Sequence, residues 1–500
     1  MSELTDAEHY LLRSLTELIY CNPFEPVRIE LEQAVLGDDF TPERLGSWSR
    51  TEASDRHERP NVVRITQVAG ELVEQLLERQ QEAGPLRGTD AELYDDLVTY
   101  TIYYRHFAIA PRDLVEPTAT PAEIRQLWRG FRDERKRLLT PLEAATRNEL
   151  TPSPHLFACL HQVRRAFNSI FDCLIGESTP ATRLRAQVWQ SIFTHDLRRY
   201  RRMLYQRMGD LATLVTGPSG SGKELVAQAV GRSQYRAFDE KAEAFVDESD
   251  AESPFIALNL SALSPTLIES ELFGHRKGAF TGATADHVGW LERCPPHGAV
   301  FLDEIGELDP AIQVKLLRVA QTRDYSRLGE SQPRQFVGKL LAATNRDLAV
   351  EMQAGRFRED LYYRLCSDRV IVPSLGEQLA DRPEALPGLV RFLARRVLGE
   401  VSATDAEIES LAAEVEAWVR DRLPRSYAWP GNIRELEQCV RSVLVRREYH
   451  PPALEGAGSH AEWLNQAAAG ELTADELLNA YCKVVHTQQG GTSRPPGCWA

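Results

Sequence analysis

The sequence predicts a parallel α/β sheet organised around a phosphate-binding loop, with an all-helical region before it and a helical segment after it. Three observations lead there. Leu211 to Val230 reads strand, glycine loop, helix. Three further short apolar runs, Phe255 to Leu260, Ala299 to Leu302 and Gly338 to Thr344, are separated by helical patterns, as in a sheet covered on both faces. Up to about Phe171 the chain carries apolar positions at three- and four-residue spacing and no strand alternation.

The loop comes first because the other elements take their meaning from it. Leu211 to Thr216 is apolar and β-branched, and Gly217, Pro218, Ser219, Gly220, Ser221 and Gly222 then form a segment that bends tightly and brings backbone close to a ligand. Lys223 ends the loop. After Glu224, Leu225, Val226, Ala229 and Val230 return at helical spacing, so the loop lies at a helix N-terminus, where free N–H groups and the macrodipole favour an anion. Gly217, Gly222 and Lys223 satisfy the spacing G-x-x-x-x-G-K. Glu224 stands where a Ser or Thr usually helps to hold magnesium.

Five hundred residues suffice for two or three domains with cores of their own. A hydrophobic content of 43% and a charged content of 26% are those of ordinary globular chains. No apolar run reaches the length of a membrane span, and the acidic start lacks the pattern of a secretory signal. The eight cysteines are scattered singly, without a metal-binding pair, which fits a reduced cytoplasmic setting. A net charge of −15 speaks against a surface that grips nucleic acid throughout.

Helices are expected at Asn61 to Gly84, Asp90 to Ala108 and Pro121 to Leu139, separated by Pro, Gly and Thr breaks. The aromatic cluster Tyr100, Tyr103, Tyr104, His106 and Phe107 reads either as core or as the lining of a ligand pocket, core being the commoner use of such residues. Position ahead of a nucleotide loop suggests a regulatory or interaction module. A long helix is expected between Gly176 and Gly209, with Arg198, Arg199, Arg201 and Arg202 on a solvated face. Ser233 to Pro254 is polar and acidic and reads as a surface insertion.

Two strand ends carry chemistry. Asp303 and Glu304 follow the buried run Ala299 to Leu302, at the carboxyl edge where ligands of open α/β sheets bind. Asp303 is placed to reach a metal ion and Glu304 to polarise a water. The run Gly338 to Thr344 ends at Asn345, suited to sensing a terminal phosphate or to capping a helix.

With those residues in place, a resemblance becomes visible. Glu269 to Ala283, ESELFGHRKGAFTGA, resembles the signature of the AAA+ activators of sigma-54 RNA polymerase, the bacterial enhancer-binding proteins; Gly278, Ala279, Phe280, Thr281, Gly282 and Ala283 reproduce its GAFTGA loop unchanged. Similar motifs follow in order: GPSGSGKE at Gly217 to Glu224, FLDEIGELDPAIQVKLLRV at Phe301 to Val319, AATNRDL at Ala342 to Leu348, GRFREDLYYRL at Gly355 to Leu365 and WPGNIRELE at Trp429 to Glu437. In that family a Glu commonly follows the loop lysine, which accounts for Glu224.

The resemblance implies an ATPase that uses ATP and Mg2+. Lys223 would bind the β- and γ-phosphates, Asp303 would hold the metal and Glu304 would act on water as its Walker B partner. Asn259 would be the switch residue that restrains Glu304, and Thr344 and Asn345 would form sensor I. Arg358 and Arg364 would be arginine fingers toward a neighbouring subunit, and Arg434 the sensor II arginine. It implies a ring oligomer, a hexamer, that remodels sigma-54 RNA polymerase holoenzyme through Gly278 to Ala283. The expected domains are a helical N-terminal region over 1–173, an AAA+ α/β core over 174–372, a helical lid over 373–447 and a C-terminal tail over 448–500. A AAA+ remodeller with a different client is the alternative enzyme, and a nucleotide-gated scaffold the non-enzymatic one.

Two departures qualify the resemblance. Gly376, in PSLGEQLADRP, stands where the family usually has an arginine at the entry to the lid. The second concerns DNA. Leu472 to Gln489, with Thr473 and Glu476 as a capping box, resembles only the first helix of a helix-turn-helix before Gly490, Gly491, Pro495 and Pro496 stop it. Residues from Pro451 hold more acids than bases, so strong sequence-specific DNA binding by this chain is not expected.

Overall fold

The computed structural model describes residues 4–43, 59–108, 119–146, 151–246, 255–399, 404–424 and 427–451 and the single positions 473 and 478. The expected helix from Leu472 to Gln489 and its capping box lie outside the described residues. The chain forms two compact units, Met1–Phe392 with Gly431–Arg434, and Leu393–Pro430 with Glu435–Ala500. The N-terminal helices therefore belong to the same unit as the sheet, and the unit boundary falls beyond the expected start of the lid.

In the first unit the helices are α1 (Asp6–Tyr20), α2 (Val27–Leu36), α3 (Pro60–Ala83), α4 (Thr89–Ile102), α5 (Pro121–Thr146), α6 (Ser153–Cys173), α7 (Thr179–Phe193) and the short α8 (Leu197–Arg199). Thr5 begins α1 through a capping box with Glu8, so two orphan donors of the first turn are satisfied reciprocally. Strand β1 (Thr213–Thr216) leads through the glycine loop into α9 (Lys223–Gly231), followed by β2 (Phe238–Asp239), β3 (Ala244–Phe245) and β4 (Phe255–Asn259). Next come α10 (Pro265–Phe273), α11 (Trp290–Arg293), β5 (Ala299–Asp303), α12 (Pro310–Thr322), β6 (Asp324–Tyr325), β7 (Arg334–Gln335) and β8 (Lys339–Thr344). The unit continues with α13 (Leu348–Gln353), α14 (Glu359–Leu365), β9 (Asp368–Ile371), α15 (Leu375–Asp381) and the first part of α16 (Leu386–Leu398).

The main sheet has the order β4-β5-β8-β1-β9 and is parallel throughout. All four expected strands are present. The fifth, β9, was not expected from the sequence, although Val370, Ile371 and Val372 form a short β-branched run of the kind strands favour. Side chains alternate across the sheet. Val215, Phe301, Leu341, Ala343 and Val370 share a core with Phe167, Ile170, Trp189 and Phe193 of α6 and α7 and with Val226 and Val230 of α9. Leu214, Val300, Leu302, Leu340 and Ala342 face the opposite way, toward Leu316 of α12 and Leu361 of α14. Thus the helical region ahead of the loop supplies part of the cover of the sheet.

Two expectations are corrected here. The segment after α9 is not merely a polar surface insertion, because β2 and β3 form a hairpin whose Phe238 and Phe245 are buried. The Phe238 ring lies 4.8 Å from Trp128 and 4.6 Å from Phe157, centroid to centroid. Apolar burial by two phenylalanines spaced around a turn outweighs the polarity of the residues between them. Phe238→Ala is expected to destabilise the fold by about 3–5 kcal/mol, seen as a lower urea midpoint when unfolding is followed by circular dichroism.

The second correction concerns the basic run. The long helix ends at Phe193, where Thr194 adopts a positive φ of 66°, and Asp196 restarts the chain by accepting hydrogen bonds from the amides of Arg198 and Arg199. The run is split between solvent and interior. Arg201 is buried, 3.7 Å from Asp96, and its guanidinium lies 5.4 Å from the centre of the Tyr20 ring. Arg198 lies 4.5 Å from the same ring. A carboxylate and an aromatic face let the guanidinium leave water, which periodicity alone does not reveal.

The second unit contains the end of α16, then α17 (Asp405–Arg422) and most of α18 (Asn432–Arg446). Thr404 and Glu407 cap α17 reciprocally. Val415 and Val419 of α17 and Leu436, Cys439, Val440 and Val443 of α18 are buried, and the Tyr449 hydroxyl donates to Glu435 at 3.2 Å.

Candidate functional site

The glycine loop is built by backbone that other side chains cannot replace. Gly220 and Gly222 have φ of +72° and +96°, and a Cβ on Gly220 would sit 2.4 Å from the carbonyl oxygen of Gly431. Lys223 is 7% exposed, and its Nζ donates to the carbonyls of Gly217 and Pro218 at 3.1 and 3.2 Å. Burial draws this ammonium below the ordinary lysine value, while the Glu304 and Asp303 carboxylates pull it partly back. Ser221 Oγ donates to the Pro218 carbonyl at 2.8 Å, tightening the turn. Glu224 is exposed in the first turn of α9, where a negative charge complements the helix dipole.

A second segment clamps the loop from the far end of the sequence. The Arg434 amide donates to Gly220 O at 3.2 Å and its guanidinium to Ser219 Oγ at 3.3 Å. Asn432, not singled out in the sequence, is 3% exposed at a φ of 54°. Its Nδ2 donates to Ser219 O at 3.0 Å, while its Oδ1 accepts from the Leu375 amide at 2.9 Å. The signal was present as an Asn directly after Pro430 and Gly431 at a helix start, a residue type that tolerates left-handed backbone.

The acidic pair lies at the carboxyl end of β5, the second strand of the sheet, between β4 and β8. Asp303 Oδ1 accepts from the Glu304 amide at 3.0 Å. Glu304 itself has φ 56° and ψ 48°, a left-handed backbone that costs a non-glycine residue free energy. Its Oε2 accepts from the Asn345 amide at 3.4 Å, so the end of β8 and the acid touch. Thr344 is fully buried, and its Oγ1 accepts from the Arg346 amide at 3.1 Å.

Asn259 ends β4 in register with Asp303. Its side-chain oxygen accepts from the Ser261 amide at 3.0 Å and from the Ser261 hydroxyl at 2.7 Å. In this conformation the partner of the Glu304 carboxylate is therefore the Asn345 amide, and Asn259 acts as a cap.

Both candidate finger arginines stand on α14 or at its start, and they differ. Arg358 closes its fork on Asp360, with distances of 3.0 and 2.6 Å, and its amide donates to buried Gln313 at 2.9 Å. Arg364 is exposed, and among the described residues its guanidinium has no acid partner. Gln313 was also missed by the sequence reading; its Nε2 holds the carbonyls of Leu308 and Arg356 at 2.8 and 2.9 Å and so ties α12 to the finger segment.

Beside the loop a cleft of about 980 Å³ is lined by Gly217, Pro218, Thr344, Asn345, Arg369 and Tyr362, among others. The loop Gly278 to Ala283 lies on a different part of the unit. Gly278 N donates to Ala283 O at 2.8 Å, closing a small turn whose two glycines have φ of +82° and +104°. Arg276 anchors its base on Asp286 and Glu330 at 2.6 and 2.9 Å. The Phe280 ring meets His275 edge to face at 4.9 Å, while Thr281 and Gly282 are exposed.

A glycine loop with a buried lysine, paired acids at the next strand but one and a clamp from a C-terminal helix, all on the edge of a five-stranded parallel sheet, define a AAA+ domain. Residues 193–370 match the model of the sigma-54 interaction domain. Over those residues the chain carries the domain by which sigma-54-dependent AAA+ activators are recognised.

It is 42% identical over 235 residues to the Nif-specific regulatory protein of Azotobacter vinelandii, covering 47% of this chain and 40% of that one. Against the Nif-specific regulatory protein of Enterobacter agglomerans the identity is 35% over 344 residues, covering 65% and 57%. Against the transcriptional regulator NtrC of Azospirillum brasilense it is 38% over 319 residues, covering 62% and 59%. The chain thus spans between 40% and 59% of the length of these relatives. The solved structure of NtrX from Brucella abortus in complex with ATP aligns with 66% of this chain and 68% of its own at 22% identity and a TM-score of 0.40. No helix among the described residues is long and apolar enough to cross a membrane.

Proposed function

We propose that this chain is an ATPase that assembles into a ring, a hexamer, and uses ATP hydrolysis to remodel sigma-54 RNA polymerase through the loop Gly278 to Ala283. The observation that carries this reading is the unchanged GAFTGA loop in a chain whose phosphate loop, acidic pair and exposed Arg364 occur together in one folded unit.

The residues present fit a nucleotide and a metal ion. The loop backbone at Gly220 admits no side chain, Lys223 provides a partly buried positive charge, and Asp303 is an oxygen ligand suited to a hard cation. Mg2+ held at Asp303 would offset phosphate charge. Lys223 exchanges its loop carbonyls for phosphate oxygens, Glu304 orients a water, and Asn345, already touching Glu304, reports the terminal phosphate to it. Arg364, facing outward, reaches the site of a neighbouring subunit, so that hydrolysis depends on assembly. Asn259 joins the switch by leaving Ser261 for Glu304.

The polymerase contact is separate from this chemistry. Thr281→Ala is expected to leave ATP turnover within about twofold, because surface substitutions away from a site cost little, and to abolish open-complex formation on a sigma-54 promoter. Transcription from a supercoiled template with purified holoenzyme tests the reading. Normal activation by this variant would remove the polymerase from the proposal, and an active ATPase would then point to a different client.

A further inference from the structure

Gln313 of α12 has no exposed surface, and its side-chain amide makes three hydrogen bonds. Nε2 donates to the carbonyls of Leu308 and Arg356, and Oε1 accepts from the Arg358 amide. The last two bonds flank Phe357 as the backbone of a neighbouring strand would, so one side chain stands in for main chain. Phe357 itself is 3% exposed, in the core with Leu316 and Leu361. Arg358 is the residue from which α14 starts, and no side chain caps that helix. Gln313 therefore fixes where α14 begins.

The other end of the same amide reaches the acidic pair. Leu308 closes the turn that leaves Glu304: the amides of Glu307 and Leu308 donate to the carbonyls of Glu304 and Ile305 at 2.9 and 3.2 Å. That turn is packed against β8, where a Cβ on Gly306 would lie 3.0 Å from Thr344 Oγ1. A second link runs beside the first. Arg346, next to Asn345, pairs with Glu307 and, at 3.5 Å, with Glu351, whose carboxylate holds Arg356 at 2.6 Å. The Glu351 carbonyl also accepts from the amides of Arg356 and Phe357 at 2.9 and 3.2 Å. The segment that carries the outward arginines is thus gripped from two sides, and both grips lead back to residues beside Glu304 and Asn345.

We infer that Gln313, with the Glu351–Arg356 pair beside it, is a positioning residue that couples the nucleotide-facing turn of one subunit to the arginines which that subunit offers its neighbour. The inference rests on the reading of this chain as a ring ATPase. A buried amide bonded at three points has little freedom, so a shift of Leu308 is passed to Arg358 through one rigid group. An apolar side chain of the same length would fill the space and leave two carbonyls and an amide without that partner.

Gln313→Met makes that change in the full chain. Phosphate release at saturating ATP is expected to fall at least about tenfold, because a small misplacement of a group that acts on the reaction is costly. Affinity for adenylyl imidodiphosphate should stay within about twofold, since the variant's own phosphate loop is untouched. The decisive readout is which partner restores turnover. Each ring interface joins one subunit's loop to the next subunit's arginines, so an equal mixture with Lys223→Ala leaves about a quarter of the interfaces intact and should regain about that share of parental turnover. A mixture with Arg364→Ala contains no intact arginine donor and should gain nothing. Weakened analogue binding, no recovery with Lys223→Ala, or recovery with Arg364→Ala would each place the lesion in the variant's own site and overturn the inference. If circular dichroism shows that Gln313→Met does not fold, Arg356→Ala decides, because its side chain is 57% exposed on the second link. It should lose about threefold in turnover and be restored by the same partner; unchanged turnover would overturn the coupling. Absent hydrolysis by the parent chain, or an unimpaired Arg364→Ala, would instead count against the ATPase reading.

Discussion

Arg364→Ala is expected to lower ATP turnover by about a thousandfold while ATP affinity stays within a few-fold of the parent. The magnitude follows from what a guanidinium supplies to phosphoryl transfer, where an arginine reaching the transferred group accounts for about 10³–10⁵ in rate. The choice of Arg364 follows from the structure: it is exposed on α14 and unpaired with any acid among the described residues, so it is free to serve a neighbouring subunit. Arg358 must first give up the fork it closes on Asp360, so Arg358→Ala is expected to cost less. Phosphate release at saturating ATP, with nucleotide binding measured separately, checks both. Mixing Arg364→Ala with the Lys223→Ala variant supplies a stricter check. Each carries what the other lacks at a shared interface, so the mixture should recover turnover that neither shows alone. Equal, unimpaired turnover by Arg364→Ala would remove that residue from the site and the ring from the proposal.

The second large effect concerns Glu304. Glu304→Gln keeps the shape of the side chain and its contact with the Asn345 amide, since a carboxamide oxygen also accepts a hydrogen bond. It loses the charge that polarises a water, so turnover is expected to fall by about 10²–10⁴ with ATP still bound. A filter-binding measurement would then show retained ATP where the parent releases ADP. Asn345→Ala provides the comparison. The Glu304 contact is with the backbone amide, so this variant keeps it and tests only what the Asn345 side chain contributes. If Glu304→Gln hydrolysed ATP at the parental rate, the acid would be structural and its left-handed backbone would need another reason.

The sequence by itself determined the parallel sheet, the glycine loop and the identity of the acids, because each rests on local grammar. Apolar runs of strand length, glycines at fixed offsets and a lysine opening a helix are read from neighbours a few residues apart. GAFTGA was legible in the same way. The tertiary structure decided what long-range contacts decide. Phe238 and Phe245 looked like part of a polar insertion until the turn between them brought Phe238 onto Trp128 and Phe157 and Phe245 onto Phe157. Arg201 looked solvated until Asp96 and Tyr20, from helices far back in the chain, provided a charge and a ring.

The same distinction holds within the site. Asn432 clamps Ser219 across a sequence separation of 213 residues, a pairing that no spacing rule connects. The family resemblance named Asn259 as the residue that restrains Glu304, but it gave no sign of the competition for its side chain. Ser261, two residues on, already satisfies that oxygen, and the Glu304 carboxylate rests on Asn345 instead. Sequence pattern thus specified which chemical groups this protein carries and on which elements. Only packing specified which of them meet, because a buried polar group takes whichever partner the folded chain brings within reach.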